Sequence, residues 1–126
     1  MKGPKILLAV SAAFAIGVGL AMMFSAAAFL APQGIVADDH IAVIAHAQAA
    51  LLIGIGATNL LAMRVSDARG LQAVLGGNVV THVVALGVNA HALSADLVTS
   101  QVYGDVIGHV LFGGLFAFFF VRVGRA

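Results

Sequence analysis

A chain of 126 residues that is 62% hydrophobic and only 9% charged departs far from a soluble domain, in which about a quarter of residues are charged, and belongs in a lipid bilayer. That length leaves room for about four spans of roughly 20 residues with short connections, and none for a separate soluble domain. A net charge of +1 with no basic stripe argues against nucleic-acid binding, and the absence of cysteine removes disulfides, thiolate metal sites and cysteine nucleophiles.

Lys2 and Lys5 precede an uncharged apolar run over 6–31, which Pro32 and Gln33 interrupt. A secretory signal competes for this stretch, because Ser25, Ala26, Ala27 and Ala28 resemble a small-residue cleavage site. The run is about twice as long as a signal core of about 7–15 residues, so it reads as the first transmembrane helix. A short acidic connection follows, and a second span covers 41–63, closing on Arg64, Asp67 and Arg69. The third span covers 71–93 and the fourth 101–121, with a polar loop between them and Arg122 and Arg125 after the last. Residues 1–126 form a single membrane domain.

Every lysine and arginine falls at one side of this scheme, at Lys2, Lys5, Arg64, Arg69, Arg122 and Arg125. The positive-inside rule then places both termini and the middle loop in the cytoplasm. The expected fold is an all-α integral membrane protein of a bacterial-type inner membrane, a four-helix bundle of up-down antiparallel topology. Glycines in all four spans supply the close approach that helix contacts in lipid need. The phenylalanines near the end of the fourth span, among them Phe112, Phe116 and Phe118, are expected to face lipid or another protomer.

Polar groups at membrane depth are costly and need partners or a job. The third and fourth spans carry or border Asn78, His82, Asn89, His91, Asp96, Gln101, Asp105 and His109. At a rise of about 1.5 Å per residue, His46 lies about 8 Å from the non-cytoplasmic end of its helix, His109 about 12 Å, His82 about 16 Å, and Asp105 and Asn89 about 6 Å. His40 and His91 sit at the interface, so every histidine belongs to the outer half of the bilayer. At about 100° per residue, Asn78, His82 and Asn89 share one stripe of the third helix, and Gln101, Asp105 and His109 wind down one side of the fourth. The two stripes can meet in an antiparallel pair. Asn59 and Asn78 come out at similar depth, which suits an interhelical amide bond, and His46 and His91 then look outward, as a homo-oligomer or a ligand between protomers would use them.

Asp105 and His109 stand on adjacent turns of one face, with His82 opposite. That set suits a zinc or copper ion, since imidazole ligates both and a carboxylate ligates or orients a ring. The plainer alternative is structural: Asp105 accepts the His109 ring N–H and His82 bonds a carbonyl or Asn89. A b-type haem is the other ligand that bundle histidines serve, and His46 with His109 form a diagonal pair at similar depth. Asn89 completes the candidate pocket. Met22 and Met23 reach comparable depth but read as gap-filling side chains.

Ala42-x3-His46 resembles the Ala-x3-His element by which light-harvesting polypeptides ligate bacteriochlorophyll, a likeness that covers five residues and implies a tetrapyrrole on His46. In size the chain is similar to the small multidrug-resistance pumps and the fluoride channels, both dimers of four-helix subunits. It lacks the former's glutamate in the first helix and shows no match to the latter's motifs. No Ser/His/Asp signature points to a metal-free enzyme, and Ser11 and Ser25 read as serines that bond their own backbone. Two functions follow as expectations: a redox or accessory role with a metal or tetrapyrrole held by the His/Asp cluster, and, as the alternative, a small proton-coupled transporter or channel. Either is expected to act as a homo-oligomer or as a subunit of a larger membrane complex.

Overall fold

The computed structural model describes residues 2–125, and among these residues it is helical with no strand. Its elements are α1 (Lys2–Phe24), α2 (Ala26–Leu30), a 3-10 turn (Ala31–Gln33), α3 (Asp39–Ala62), α4 (Ala68–Ser94), a second 3-10 turn (Ser100–Val102) and α5 (Tyr103–Gly124). Four of these helices are long and apolar enough to cross a membrane, which makes the chain a multi-pass membrane protein in a lipid environment.

The helices exceed the apolar runs because polar first and last turns belong to the helix but not to the hydrocarbon. Asp38 accepts from the Ile41 N–H at 2.8 Å and starts α3. Asp67 accepts from the Gly70 N–H at 2.6 Å and starts α4, each satisfying a donor that the first turn leaves open. α1 begins before its apolar run, with Pro4 in the first turn, where no N–H is missed. The run over 6–31 is not one helix, however. Ser25 adopts φ −152° and ψ 64°, so the chain breaks there and resumes as α2, while its N–H still reaches the Ala21 carbonyl at 3.0 Å.

Packing follows the glycines. α1 lies along α3, where a methyl group on Gly19 would meet the Ala49 carbonyl oxygen at 2.9 Å and one on Gly56 the Ala12 carbonyl oxygen at 3.0 Å. Contacts pair residue 12 with 56 and 19 with 49, so these helices run in opposite directions. α4 lies along α5 in the same manner, Gly113 against His82 and Gly76 against Phe120. The result is two hairpins, each a tight pair.

The hairpins meet through an apolar cluster of Leu7, Leu8, Ala62, Leu71, Leu75, Phe116 and Val123 and through a buried polar node. Asn59 donates to the Ser11 hydroxyl at 3.2 Å and to Asn78 Oδ1 at 3.1 Å. Asn78 returns a bond to Asn59 Oδ1 at 2.8 Å and another to the Val74 carbonyl at 2.9 Å. At the other end, Thr99 joins the two loops by donating its N–H to the Gln33 carbonyl at 3.0 Å and its hydroxyl to that of Pro32 at 2.8 Å. Gly34 turns the chain there at φ 80°, and a side chain on it would press on Thr99. A second core of Met22, Ala26, Leu30, Ala45 and Ala49 belongs to the first hairpin alone.

Between α3 and α4 the hairpins leave a groove of about 460 Å³, lined by Gly54, Thr58, Gly77 and Thr81 with Asn59 and Asn78 among its walls. Large apolar side chains such as Val43, Leu51, Val84, Ile107 and Leu111 are exposed, an outward face that suits lipid rather than water.

The glycines give a paired test of this packing. Gly56→Ala is expected to destabilise the protein by about 1–3 kcal/mol through overpacking against α1. Gly54→Ala, two residues away and facing open space, is expected to be neutral or to stabilise by up to about 1 kcal/mol through helix propensity. Thermal unfolding of both variants in the same detergent checks the contrast.

A candidate imidazole pair between two spanning helices

His82 on α4 and His109 on α5 meet ring to ring. Their Nδ1 atoms are 2.9 Å apart and their ring centroids 5.2 Å apart at 54°. At that separation one Nδ1 carries the hydrogen and donates while the other presents its lone pair. The acceptor ring therefore holds its own hydrogen on Nε2, and two rings protonated at Nδ1 would set N–H against N–H. The contact is an N–H···N hydrogen bond, and it is the one side-chain hydrogen bond either ring makes among the described residues.

Local sequence explains the placement. Gly113 stands opposite His82, and a Cβ there would lie 3.1 Å from the histidine Cβ, so the glycine lets the two backbones close. Phe112 and Phe116 follow His109 by three and seven residues and share its face. Both rings stack on His82, Phe112 at 5.9 Å and 9°, and Phe116 at 5.7 Å and 21°. Phe14 of α1 touches Phe112 at 5.7 Å and 36°, which sets the first hairpin against the second. Phe116 is fully buried and Phe112 half-buried, so these two do not form the outer surface expected from the sequence. Their spacing from His109 was the signal for that, since i+3 and i+7 return to one helical face.

The other candidates lie apart. Asp105 is exposed one turn before His109 on α5, with no side-chain hydrogen bond among the described residues. Asn89 is half-buried seven residues beyond His82 and likewise makes none. His46 is exposed on α3, a helix that packs chiefly on α1. His40 and His91 are exposed near helix ends, and Asp96 takes a left-handed turn at φ 54°. Among the described residues no three His, Cys, Asp or Glu side chains gather as a metal ion would need. Of the set His82, Asp105 and His109, the structure joins the two histidines.

The amide bond expected between Asn59 and Asn78 is present and doubled. Ser11, read from the sequence as bonding its own backbone, instead accepts from Asn59, a long-range contact that no local pattern announces. Gln72 donates to the Phe120 carbonyl at 3.4 Å and ties the end of α5 to α4.

No protein-family model matches the chain, and no curated protein or solved structure does either.

The hydrogen bond has a direct spectroscopic signature. In protein labelled with nitrogen-15 at histidine, a coupling across the Nδ1···Nδ1 bond and a strongly deshielded proton are expected. Both should vanish in His109→Ala and persist in His46→Ala. Their absence from the unmodified protein would mean that the rings do not bond each other.

Proposed function

We propose that this chain is a small proton-coupled transporter or channel of a bacterial-type inner membrane, in which the His82–His109 pair takes up and releases the proton. The carrying observation is the 2.9 Å contact between two imidazole nitrogens on separate spanning helices. Histidine is the side chain whose ordinary charge change falls near neutral pH, and an ionisable group inside a span is by default a functional site. A pair that holds one hydrogen between two nitrogens binds and hands on protons with small ring movements.

The same reading includes an up-down-up-down path with both termini cytoplasmic, supported by Lys2, Lys5, Arg64, Arg69, Arg122 and Arg125 and by loops free of Lys and Arg at 31–38 and 95–99. It also includes assembly with further copies of the chain. A methyl group on Gly104, Gly108 or Gly114 of α5 would meet open space among the described residues, as small residues do that await a neighbouring protomer.

One observation favours a second reading. Two imidazole nitrogens converge, and Asp105 is one helical turn from His109, so a zinc or copper ion in place of the bonding proton would find two ligands and a third within a rotamer change. A redox or accessory role in a larger complex would follow from such an ion. A haem held by His46 and His109 would require His109 to leave His82.

Purified protein in sealed vesicles, with a pH-sensitive dye inside and a potassium diffusion potential imposed, tests the first reading. His82→Ala and His109→Ala are expected to lower proton flux at least about tenfold, two decades of rate being the usual scale for loss of one proton-transferring group, with His46→Ala unchanged. Flux equal in all four proteins would sink it. Stoichiometric zinc or copper that is lost in His82→Ala selects the metal, and a Soret band lost in His46→Ala selects the haem.

A further inference from the structure

The groove between α3 and α4 has walls of matched sequence. α3 contributes Gly54 and Thr58, and α4 contributes Gly77 and Thr81, in each case a glycine with a threonine one turn on along the same face. A Cβ on Gly54 or Gly77 would meet nothing within 4 Å among the described residues. Neither glycine serves helix approach inside this chain, although glycine within a helix costs about 1 kcal/mol against alanine. What the two leave is space, about 460 Å³ of it, inside the range of about 300–1,000 Å³ in which small-molecule sites fall. Leu51 lines the mouth and is exposed, so the groove opens sideways to lipid.

The polar part of the lining is of one kind. Four of its side chains carry hydrogen-bonding atoms, and all their hydrogens are spent within the chain. Thr58 donates its hydroxyl to the Gly54 carbonyl at 2.9 Å, and Thr81 donates its own to the Gly77 carbonyl at 3.0 Å. Asn59 spends both amide hydrogens on Ser11 and Asn78, and Asn78 spends both on Asn59 and the Val74 carbonyl. Only acceptors are left: two lone pairs on each threonine oxygen and one on each amide oxygen. Asn59 and Asn78 are 0% and 7% exposed, so these oxygens are shielded on every side but the groove.

That inventory selects among occupants. No acid lines the groove, and a cation there would lie in hydrocarbon without a counter-charge. A lipid acyl chain brings no donor. A helix from another copy has its backbone N–H groups bonded within itself and would leave the oxygens as they are. A neutral molecule with one hydroxyl or similar donor meets them without either cost. Ala50, Leu51, Ile55 and Val74 supply the apolar lining, which is aliphatic and offers no ring for an aromatic body to stack on.

We propose that this groove binds a neutral aliphatic alcohol of the bilayer, with its hydroxyl donating to the oxygen of Thr58 or Thr81 and its chain lying along Leu51, Ile55 and Val74. The ligand enters from lipid without crossing water. The site is separate from the His82–His109 pair, whose rings turn toward α5, and it stands whether or not that pair handles protons.

The test uses the full chain in phosphatidylcholine vesicles with two photoreactive probes, a long-chain aliphatic alcohol carrying a diazirine and its methyl ether, at equal mole fraction in the bilayer. The alcohol is expected to label α3 and α4 saturably at the groove, and the ether at least about fivefold less, the scale of one lost hydrogen bond. Thr58→Val with Thr81→Val removes both hydroxyls, leaves the asparagine node untouched and should bring the alcohol down to the level of the ether. Gly77→Leu fills the groove and should abolish labelling there by both probes. Equal labelling by alcohol and ether, labelling spread evenly over the lipid-facing helices, or either variant labelled like the native protein overturns the proposal. The native chain has no cysteine, so Gly54→Cys reports a second copy. A disulfide between two chains, with no alcohol at the groove, gives the groove to another protomer and overturns the alcohol. Should the double variant fail to fold, Thr81→Val alone is expected to lower labelling by the alcohol at least about twofold, and labelling at the native level overturns the proposal equally.

Discussion

Ser11, Asn59 and Asn78 form the buried polar link between two helical hairpins that otherwise meet through one apolar cluster, the Phe14–Phe112 contact and the Thr99 loop bonds, and the rest of the structure depends on that node. In lipid there is no hydrophobic force to draw one helix to another, so packing and interhelical hydrogen bonds must do it. Asn59 is 0% exposed and every polar atom of the node is used inside it. Bonds of this kind contribute about 0.6 kcal/mol each in membrane bundles. Their larger effect is directional, because an amide that leaves its partner in hydrocarbon strands two polar groups at once. The node thus fixes which faces of α1, α3 and α4 look inward, and with them the direction in which His82 points.

Within each hairpin the determining feature is backbone approach. Gly19 and Gly56 admit the opposing chain where a methyl group would collide with a carbonyl oxygen, and Gly113 does the same for His82. A methyl group on other glycines, Gly54, Gly77, Gly104 and Gly108 among them, would meet nothing among the described residues. The difference separates glycines that build this fold from glycines that leave surface bare, and no count of glycines along the sequence makes it. α3 and α4 follow one another through a short turn, yet beyond the Asn59–Asn78 bonds and the contact at Ala62 they border a groove. Chain order alone would have packed them along their whole length.

Composition and hydropathy made the spans legible because the bilayer imposes a length and a polarity that each span must match on its own. The amide pair of Asn59 and Asn78 was also legible, since depth along two helices suffices to bring two residues level. Facing within a helix was legible only where several polar residues shared a stripe, as His82 and Asn78 do. What escaped had one of two causes. The break at Ser25 and the reach of Ser11 to Asn59 are set by neighbours from elsewhere in the chain. The burial of Phe112 and Phe116 was written in their spacing from His109, but a cluster of phenylalanines at a helix end looks the same whether it meets lipid or a histidine. Asp105 shows the converse: an i, i+4 spacing to His109 makes contact possible, and the structure leaves the carboxylate exposed and without a side-chain hydrogen bond among the described residues.

Asn78 and His82 stand one turn apart on the same helix, and the two contacts they make respond differently to protons. The carboxamides of the node do not titrate, so the junction of the hairpins has the same hydrogen bonds at any ordinary pH. A proton taken up by the pair goes to the free Nε2 of the donor ring, which keeps the Nδ1–H···Nδ1 bond of His82 and His109 and makes its donor an imidazolium. Gly113 lets the helices approach closely at the seam where the rings meet, since a Cβ on it would lie 3.1 Å from the His82 Cβ. Phe116 rides on α5 and stacks on His82 across the same seam. The pair can therefore gain a proton without parting α4 from α5, while the node one turn away holds the two hairpins in register.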